Sequence, residues 1–456
     1  MRQMKIGFLP LYLELYDKVA PDSRKAFELI IKDLTKALSS YARVVSPGIV
    51  TTKAEVVRME KLFKKEKVEA VFTFHLAYSP SYLVSSALAR LNKPVFFLDT
   101  TMTGTYKGMK ADFLMNNHGI HGVMDLSSVL LSLGKGFAVI PGHFKDKSFK
   151  ENIKKAVQSI CTAGSFKSQR IGITGKPFTM MGDFAVNFGS LKKKYGISVV
   201  NIDEQRVISE MTGINLKKIK EVERKDRNKY NMKNVPVSAH VEGIRLYLAM
   251  KEIVKEEKLD AFTMNFLDYK SLPVPFYAID RLMEDGLGYA GEGDVLTAAL
   301  KKLISPFAKG AMFTEFFCPD WKRGLLLMSH MGESDPSFAA KGEKSHIIAK
   351  KGFGGGKLTL YHKFKVAPGK LTFVNISKLS GGNFKLVTGL LNVIKDKLYD
   401  CLDCPQYSVK PEIPLKDFLE KYSLAGGGHH LYVARGDITR EISSAGTALG
   451  MQVIKI

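Results

Sequence analysis

The sequence has little cysteine. Four cysteines among 456 residues are too few for a disulfide framework, which predicts a reducing compartment. Cys401 and Cys404 form a C-x-x-C pair, but no second pair follows at the spacing that a zinc site requires. Pro405 also stands where a redox motif would continue into a helix. We therefore interpret both residues as ordinary thiols in a loop.

The sequence also lacks an evident membrane or targeting segment. Nowhere do about 18 uncharged apolar residues run together, the length that a transmembrane helix needs. The apolar start from Met1 to Asp17 is interrupted by Pro10 and Glu14, unlike the long uncharged stretch of a signal peptide. These absences predict a cytoplasmic protein that does not bind membranes.

Acidic residues are few relative to basic ones. The chain has 45 acidic residues against 68 lysines and arginines, a formal net charge of +23, and such an excess can attract nucleic acid or anionic substrates. The basic residues are scattered, however, and the densest stretch, Lys217 to Lys233, includes Glu221, Glu223 and Asp226, as a solvated helix face would. Because no basic stripe carries interleaved aromatic residues, we predict no nucleic-acid binding.

A chain of 456 residues exceeds what one hydrophobic core usually supports, so two or three domains are expected. The pattern of apolar residues divides the chain into three. Strand-length apolar runs alternate with amphipathic segments up to about residue 165, as in a parallel β-α-β sheet. A second cycle follows and includes a predicted helix from Asp183 to Tyr195. After Pro306, short β-like runs separated by glycines indicate a β-rich domain of the barrel type.

The predicted domain boundaries follow from these changes of pattern. The N-terminal α/β domain is expected at residues 1–165, the central α/β domain at 166–306 and the β-rich domain at 307–456. The charged and glycine-rich stretch from Lys341 to Lys357 predicts a long loop between two strands of the third domain.

Three short segments place acids or histidines among glycines and apolar residues, where a solvated face is not expected. The first is Gly288-Tyr-Ala-Gly-Glu292-Gly-Asp294, followed by an apolar helical stretch. Glycines on both sides of Glu292 permit close backbone approach, and N–H groups at the start of the helix can face an anionic group. The alternative is that Asp294 caps the helix and Glu292 is exposed.

The second segment is Met312-Phe-Thr-Glu315-Phe-Phe317, with Ser329 and His330 after the next apolar run. A carboxylate in an aromatic strand must face solvent or a partner such as a cation, because an unpaired buried charge is costly. The short gap allows the two strands to pair and to bring Glu315 and His330 together. Otherwise Glu315 is an outward strand residue and His330 is a satisfied histidine at a strand end.

The third segment is Gly426-Gly-Gly-His429-His430-Leu-Tyr-Val. Adjacent strand residues face opposite ways, so one histidine is expected to join a metal shell and the other to bind substrate. An exposed turn that carries a histidine pair is the alternative. Two carboxylates and two imidazoles leave room for substrate oxygens on Mn²⁺, Mg²⁺ or Co²⁺. The residues alone therefore predict a divalent metal site but not its reaction.

The shared order and approximate spacing of several motifs make the sequence similar to the L-arabinose isomerase family, with the L-fucose isomerases as more distant relatives. The resemblance covers most of the chain. Its motifs are Asn116-Asn-His118-Gly-Ile-His121-Gly122, Ile140-Pro-Gly142-His143, Ala261-Phe-Thr-Met-Asn265, Arg281-Leu-Met-Glu-Asp-Gly286, Gly291-Glu292-Gly-Asp294, Ser329-His330-Met331 and Gly428-His429-His430.

This resemblance implies a fold and roles for individual residues. The fold is two Rossmann-like α/β domains followed by a C-terminal β-barrel domain. The two glutamates act as acid and base around C1 and C2 of the sugar, and His429 remains to bind substrate. The family assembles as homotrimers or homohexamers in which one subunit's first domain covers a neighbour's site, so His118 and His121 are expected to bind substrate in trans. The implied metal ligands are Glu292, Glu315, His330 and His430.

The implied activity is metal-dependent aldose–ketose isomerisation through a cis-enediol, with Mn²⁺, Mg²⁺ or Co²⁺ as the cofactor. The segment from Leu9 to Asp17 lacks the Gly-Ser-Gln-His-Leu-Tyr pattern of L-arabinose isomerases, and Val295 replaces the tryptophan that commonly follows Glu-Gly-Asp. The expected substrate is therefore a pentose or a deoxyhexose rather than L-arabinose in particular. A non-catalytic sugar-binding regulator of the same fold is the rival hypothesis, but it does not explain why all four ligand-type residues are present.

Overall fold

The computed structural model describes residues 3–456 except 20, 22, 109–110, 269–270, 343, 352–357 and 397–403. The chain forms two compact units. One comprises Met1–Gly164 and Arg440–Val453, and the other comprises Ser165–Thr439 and Ile454–Ile456. The division into three domains stays a prediction. Among the helices described, none is long and apolar enough to cross a membrane.

The secondary-structure elements are numbered in chain order. The strands are β1 (Lys5–Leu11), β2 (Arg43–Val45), β3 (Ala70–His75), β4 (Val95–Asp99), β5 (Phe137–Pro141), β6 (Arg170–Thr174), β7 (Ser198–Asn201), β8 (Ala261–Met264), β9 (Gly288–Gly291), β10 (Ala311–Asp320), β11 (Leu325–Ser329), β12 (His346–Lys351), β13 (Leu358–Lys363), β14 (Gly369–Lys378), β15 (Phe384–Val393), β16 (Tyr407–Pro411), β17 (His430–Arg435) and β18 (Gln452–Lys455). The α-helices are α1 (Glu14–Val19), α2 (Ser23–Ala26), α3 (Glu28–Ser39), α4 (Lys53–Glu66), α5 (Ser85–Leu91), α6 (Ala111–Asn117), α7 (Gly119–Ser132), α8 (Lys147–Phe166), α9 (Phe188–Tyr195), α10 (Glu204–Gly213), α11 (Leu216–Lys229), α12 (Val237–Glu256), α13 (Phe276–Glu284), α14 (Val295–Ala298), α15 (Leu300–Ile304), α16 (Leu415–Leu424) and α17 (Thr439–Ala448).

The first unit is built on a parallel sheet in the order β2-β1-β3-β4-β5. Side chains alternate between its two faces, because successive strand residues point in opposite directions. Phe8 and Phe72 pack in one core with residues of α3 and α8. Leu9 and Val71 pack in the opposite core with residues of α4, α5 and α7. Helices thus cover both faces, which confirms the predicted α/β organisation.

The second unit combines a parallel sheet with a barrel. The sheet has the order β7-β6-β8-β9. Six antiparallel strands follow in the order β14-β17-β10-β11-β16-β15, and β15 pairs with β14 to close the barrel. Phe373, Val409 and Val433 are among the buried residues of its core. The predicted fold class, Rossmann-like α/β domains with a C-terminal β-barrel, is confirmed.

Two predictions of single elements were wrong in part. The helix predicted from Asp183 begins only at Phe188, because Asn187 accepts the N–H of Ser190 at 2.9 Å and caps the helix there. The loop predicted from Lys341 to Lys357 contains β12, which pairs with β13 along its whole length. Residues 343 and 352–357 of that prediction lie outside the described residues.

Candidate metal centre

Glu292 lies in a strained turn at the carboxyl end of β9. Its φ is 62° and that of Gly293 is 80°, and a Cβ at Gly293 would lie 2.5 Å from the Cα of Pro177. The backbone N–H of Phe178 donates to the Glu292 carbonyl at 3.0 Å. A left-handed conformation is costly for a residue with a side chain and persists only where its surroundings fix it. Here the turn leaves the Glu292 side chain only 13% exposed.

Strand β10 places Glu315 between two histidine-bearing segments. Glu315 lies opposite Ser329 of β11 on one side and opposite His430 of β17 on the other. His330 directly follows Ser329 in the chain. The pairing of β10 with β11 is the one expected from the short gap between them, and β17 brings in a histidine from more than 100 residues further along the chain.

A buried carboxylate orients each of the two buried histidines. The Nδ1 of His330 lies 2.8 Å from Oε2 of Glu333, and the Nδ1 of His430 lies 3.0 Å from Oδ2 of Asp294. A carboxylate accepts hydrogen bonds, so Nδ1–H is the donor in both rings, and in the neutral form of either ring the lone pair lies on Nε2. The Nε2 of His430 lies 3.6 Å from Oε2 of Glu292. This tautomer is the one that can bind a cation.

Burial and neighbouring charges set the protonation preferences of these groups. Burial raises the pKa of Glu292. Burial also lowers the pKa of His430, although Asp294 opposes this shift. Burial alone would lower the pKa of His330, but the hydrogen bond and charge of Glu333 and the charges of Glu315 and Glu292 together outweigh burial, so the pKa of His330 is raised. Neutral His430 is therefore favoured, and neutral imidazole is the form that coordinates metals.

The four predicted ligands are divided between two overlapping groups that share His430, and the second group also includes His429. Glu292, His330 and His430 each offer a ligand atom, and these atoms lie within 4.8 Å of one another. Glu315, His429 and His430 form the second group by the same measure. The structure thus brings together the four predicted ligands and His429.

The donor atoms themselves test whether a cation fits. Among the described residues, Oε2 of Glu292 and Nε2 of His430 have no hydrogen-bond partner although both atoms are buried. Burying such atoms without a partner costs free energy, and a divalent cation would satisfy both. Carboxylate oxygen and imidazole nitrogen are donors that Mn²⁺ and similar cations accept. The residues present therefore fit a divalent cation.

His429 belongs to the same site as His430. It precedes β17, so the alternation of strand side chains does not separate the pair, and the two ring centroids lie 4.2 Å apart. Its Nδ1 lies 2.6 Å from Oδ2 of Asp183. The side chain of His429 is 38% exposed, whereas that of His430 is 2% exposed. His429 is thus the histidine of the pair that a substrate can reach.

Three carboxylates that hold the site histidines were missed in the sequence. Glu333 follows His330 by three residues, a proximity that could have suggested it. Asp294 does cap α14, since its Oδ1 accepts the N–H of Thr297 at 2.8 Å, but this does not leave Glu292 exposed. Asp183 gave no signal because it is 246 residues from His429.

His118 and His121 lie in the first unit, near the start of α7. The Nδ1 of His118 lies 2.9 Å from the carbonyl oxygen of Leu114, and its Nε2 lies 2.9 Å from the hydroxyl of Tyr16. The ring of His121 lies 5.5 Å from that of His118, and His121 is exposed. Both ring nitrogens of His118 are thus engaged within the unit. The substrate-binding role of the two residues stays a prediction.

Comparison with protein families gives three consecutive matches along the chain. The L-arabinose isomerase N-terminal domain matches residues 7–168, the central domain 181–310 and the C-terminal domain 310–451. Curated relatives match over most of their length. L-arabinose isomerase 2 of Clostridium acetobutylicum is 24% identical, covering 100% of this chain and 96% of the relative. The L-arabinose isomerase of Anoxybacillus flavithermus is 26% identical with 94% and 88% covered, and that of Geobacillus stearothermophilus is 24% identical with 94% and 89% covered.

Proposed function

This chain belongs to the L-arabinose isomerase family, and we propose that it is a divalent-cation-dependent isomerase of a pentose or a deoxyhexose. Membership of the family makes it a sugar isomerase, an intramolecular oxidoreductase that interconverts an aldose and a ketose. The observation that carries cation dependence is the pair of buried atoms, Oε2 of Glu292 and Nε2 of His430, 3.6 Å apart and without hydrogen-bond partners among the described residues.

The cation is proposed to be Mn²⁺, with Mg²⁺ and Co²⁺ as alternatives. When bound, such a cation polarises a sugar carbonyl and stabilises the negative charge that develops on oxygen. Glu333 and Asp294 hold the two ligand histidines in one tautomer and one orientation. The residues proposed to hold the cation are Glu292, Glu315, His330 and His430.

Glu292 and Glu315 are proposed to move the protons of the isomerisation. One carboxylate takes the proton from C2 of the aldose while O1 gains a proton, which gives a cis-enediol. O2 then loses its proton and C1 gains one, so the ketose has the same atoms as the aldose. Burial raises the pKa of Glu292, a direction that suits a carboxyl group taking part in proton transfer.

Turnover of a sugar panel tests the proposed function. The purified protein would be stripped with a chelator, reloaded with Mn²⁺ and incubated with L-arabinose, other pentoses and deoxyhexoses while ketose formation is followed. We expect at least one aldose to be converted by the reloaded protein and none by the stripped protein. Conversion of no aldose, or equal conversion with and without the cation, would overturn the proposal.

The cis-enediol has a separate test in deuterated water. A proton held by a glutamate exchanges with solvent, so the ketose formed should carry deuterium at C1, which proton NMR detects as loss of signal. Transfer of the original C2 hydrogen to C1 without any solvent deuterium would instead indicate a hydride shift.

We also propose that the protein is a homotrimer or homohexamer, as the resemblance to the family implies. Native mass spectrometry at micromolar concentration would measure the assembly. A protein that stays monomeric while it converts sugar would contradict this proposal without affecting the isomerase activity.

A further inference from the structure

The loop between β6 and α9 contacts both histidines of the Gly-Gly-His-His segment. Oδ2 of Asp183 accepts the backbone N–H of His429 at 2.9 Å and lies 2.6 Å from its ring Nδ1. The next residue, Phe184, stacks on the ring of His430, with centroids 5.0 Å apart and planes at 8°. Two consecutive residues of the loop therefore fix two consecutive histidines of the candidate metal centre.

The approach of Asp183 depends on Gly428. A Cβ at that position would lie 3.1 Å from Oδ2 of Asp183 and 3.1 Å from Nδ2 of Asn375. Asn375 accepts the N–H of Gly428 at 3.1 Å and donates to the carbonyl of His430 at 2.8 Å. The hydroxyl of Tyr422 donates to the carbonyl of Gly428. Asn375 and Tyr422 thus hold the backbone of the segment, and Asp183 supplies a contact to the ring of His429.

We propose that Asp183 is a positioning residue of the isomerase reaction and acts through His429. A carboxylate on Nδ1 fixes both the tautomer and the rotation of an imidazole. A ring nitrogen of His429 lies within 4.8 Å of ligand atoms of Glu315 and His430. The half-exposed ring therefore presents Nε2 for a hydrogen bond with a sugar hydroxyl beside the metal ligands. This proposal rests on the proposed isomerase function.

A purely structural role is the competing explanation, because Asp183 also bonds the backbone of His429. The test compares Asp183→Ala with Asp203→Ala. Asp203 likewise accepts a backbone N–H, that of Gln205 at 2.7 Å, but it caps α10. We expect Asp183→Ala to raise KM about 10- to 100-fold, the usual cost of losing a carboxylate behind a site histidine, with a smaller fall in kcat. Its Mn²⁺ affinity and Tm should match those of Asp203→Ala.

Asp183→Asn keeps an oxygen that accepts N–H, so it should restore part of the loss. A double-mutant cycle then shows whether Asp183 acts through His429. The variant with both Asp183→Ala and His429→Ala should have the KM of His429→Ala alone, since coupled residues are not additive. Additive effects, or a lower Mn²⁺ affinity and Tm with an unchanged KM, would assign Asp183 a structural role.

A spectroscopic measurement keeps this inference separate from the proposed function. In protein labelled with ¹⁵N-histidine, the His429 signals are identified by their absence from His429→Ala. A ring with protonated Nδ1 is expected in the wild type, and averaging between tautomers in Asp183→Ala. If the wild type converts no sugar, the isomerase function fails while this spectrum still decides whether Asp183 holds the ring. If the wild type is active and Asp183→Ala has the same KM and the same spectrum as the wild type, only the positioning role fails.

Discussion

Asp294 accepts two hydrogen bonds, one with each carboxylate oxygen. Oδ1 caps α14 through the N–H of Thr297 at 2.8 Å, and Oδ2 holds Nδ1 of His430 at 3.0 Å. An asparagine has a single side-chain oxygen and offers a donor in place of the other. The same carboxylate therefore begins a helix and orients a proposed metal ligand.

Asp294→Asn should reduce cation binding at the proposed metal site more than it reduces the stability of the fold. Asparagine caps helices about as well as aspartate, but it cannot cap α14 and also accept from His430. We expect Mn²⁺ affinity to fall about 10- to 100-fold, the usual effect of losing such an outer partner, as measured by calorimetry, with little change in Tm. Asp203→Asn, at the cap of α10, is the control and should bind Mn²⁺ normally. Wild-type affinity in Asp294→Asn would refute the orienting role.

Substituting a proposed ligand should reduce Mn²⁺ affinity more than substituting Asp294 does. Glu315→Gln removes an anionic oxygen and His430→Ala removes a nitrogen donor, so both variants should lose Mn²⁺ binding and turnover together. The matched control is Glu412→Gln, because Glu412 pairs with Lys370 at 2.7 Å and is 44% exposed. Unchanged Mn²⁺ affinity and full activity in Glu315→Gln or His430→Ala would show that the ligand assignment is wrong.

At the scale of elements, the turn from β9 into α14 depends on Gly293. In Gly293→Ala the new Cβ would meet Pro177 at 2.5 Å in a residue whose φ is 80°. Such backbone strain costs about 1–3 kcal/mol, so we expect the free energy of unfolding of Gly293→Ala, measured with urea, to fall by that amount. Its Mn²⁺ binding should also be weaker. Gly213→Ala lies at the end of α10, where no atom of the described residues comes within 4 Å of the added Cβ, so it should be neutral or slightly stabilising. Equal stability of the two variants would contradict the strained-turn argument.

A buried ionic network joins α11, α12 and α13. The side chain of Asp226 is fully buried and accepts hydrogen bonds from His240 at 2.9 Å and from Tyr277 and Arg281. Removing one partner of a buried pair leaves an uncompensated charge. Asp226→Ala should therefore destabilise the protein by about 3–5 kcal/mol in urea unfolding. Glu221 is exposed and pairs with Lys225, so Glu221→Ala is the control. Its free energy of unfolding should fall by no more than about 1 kcal/mol.

The same network should contribute to acid sensitivity. Burial alone would raise the pKa of Asp226, but the hydrogen bond from His240 and the charge of Arg281 outweigh burial, so the pKa is lowered from its usual 3.8. A lowered folded pKa means that this stabilisation is present above about pH 4 and is lost as the pH falls through the folded value. Unfolding free energies should therefore fall more steeply below pH 4 in the wild type than in Asp226→Asn. Parallel pH profiles would exclude this contribution.

The elements that were predictable are those whose own sequence carries the pattern. Strands of the parallel sheets are buried on both faces, so they read as continuous apolar runs, as from Arg170 to Thr174. β12 was missed because its apolar run, Ile347 to Ala349, is only three residues long within a charged and glycine-rich stretch. The helix predicted from Asp183 was too long because Asp183 and Phe184 contact the rings of His429 and His430. That tertiary contact leaves no local pattern, and Asp183 was missed for the same reason.

For the whole molecule, the net charge of +23 is spread over faces that also carry acids. On α11, Lys225 pairs with Glu221 at 2.6 Å and Arg227 with Glu223 at 3.0 Å. Each pair lies four residues apart, on one side of the helix. Local ion pairs of this kind reduce the positive potential that a phosphate backbone would meet. The charge total therefore overstates the attraction that this helix offers to a polyanion.

Nucleic-acid binding is accordingly expected to be weak and non-specific. Without aromatic stacking partners, affinity would come from counterion release alone, with a Kd of about 10⁻⁴ to 10⁻⁶ M that weakens steeply as salt increases. Fluorescence anisotropy with labelled duplex and single-stranded oligonucleotides would measure the Kd and its dependence on salt concentration. A variant with Lys217→Glu and Lys220→Glu on α11 should weaken the binding of every oligonucleotide alike and reduce the salt slope. Sub-micromolar binding that survives moderate salt, or that distinguishes one sequence from another, would mean that the basic surface recognises nucleic acid.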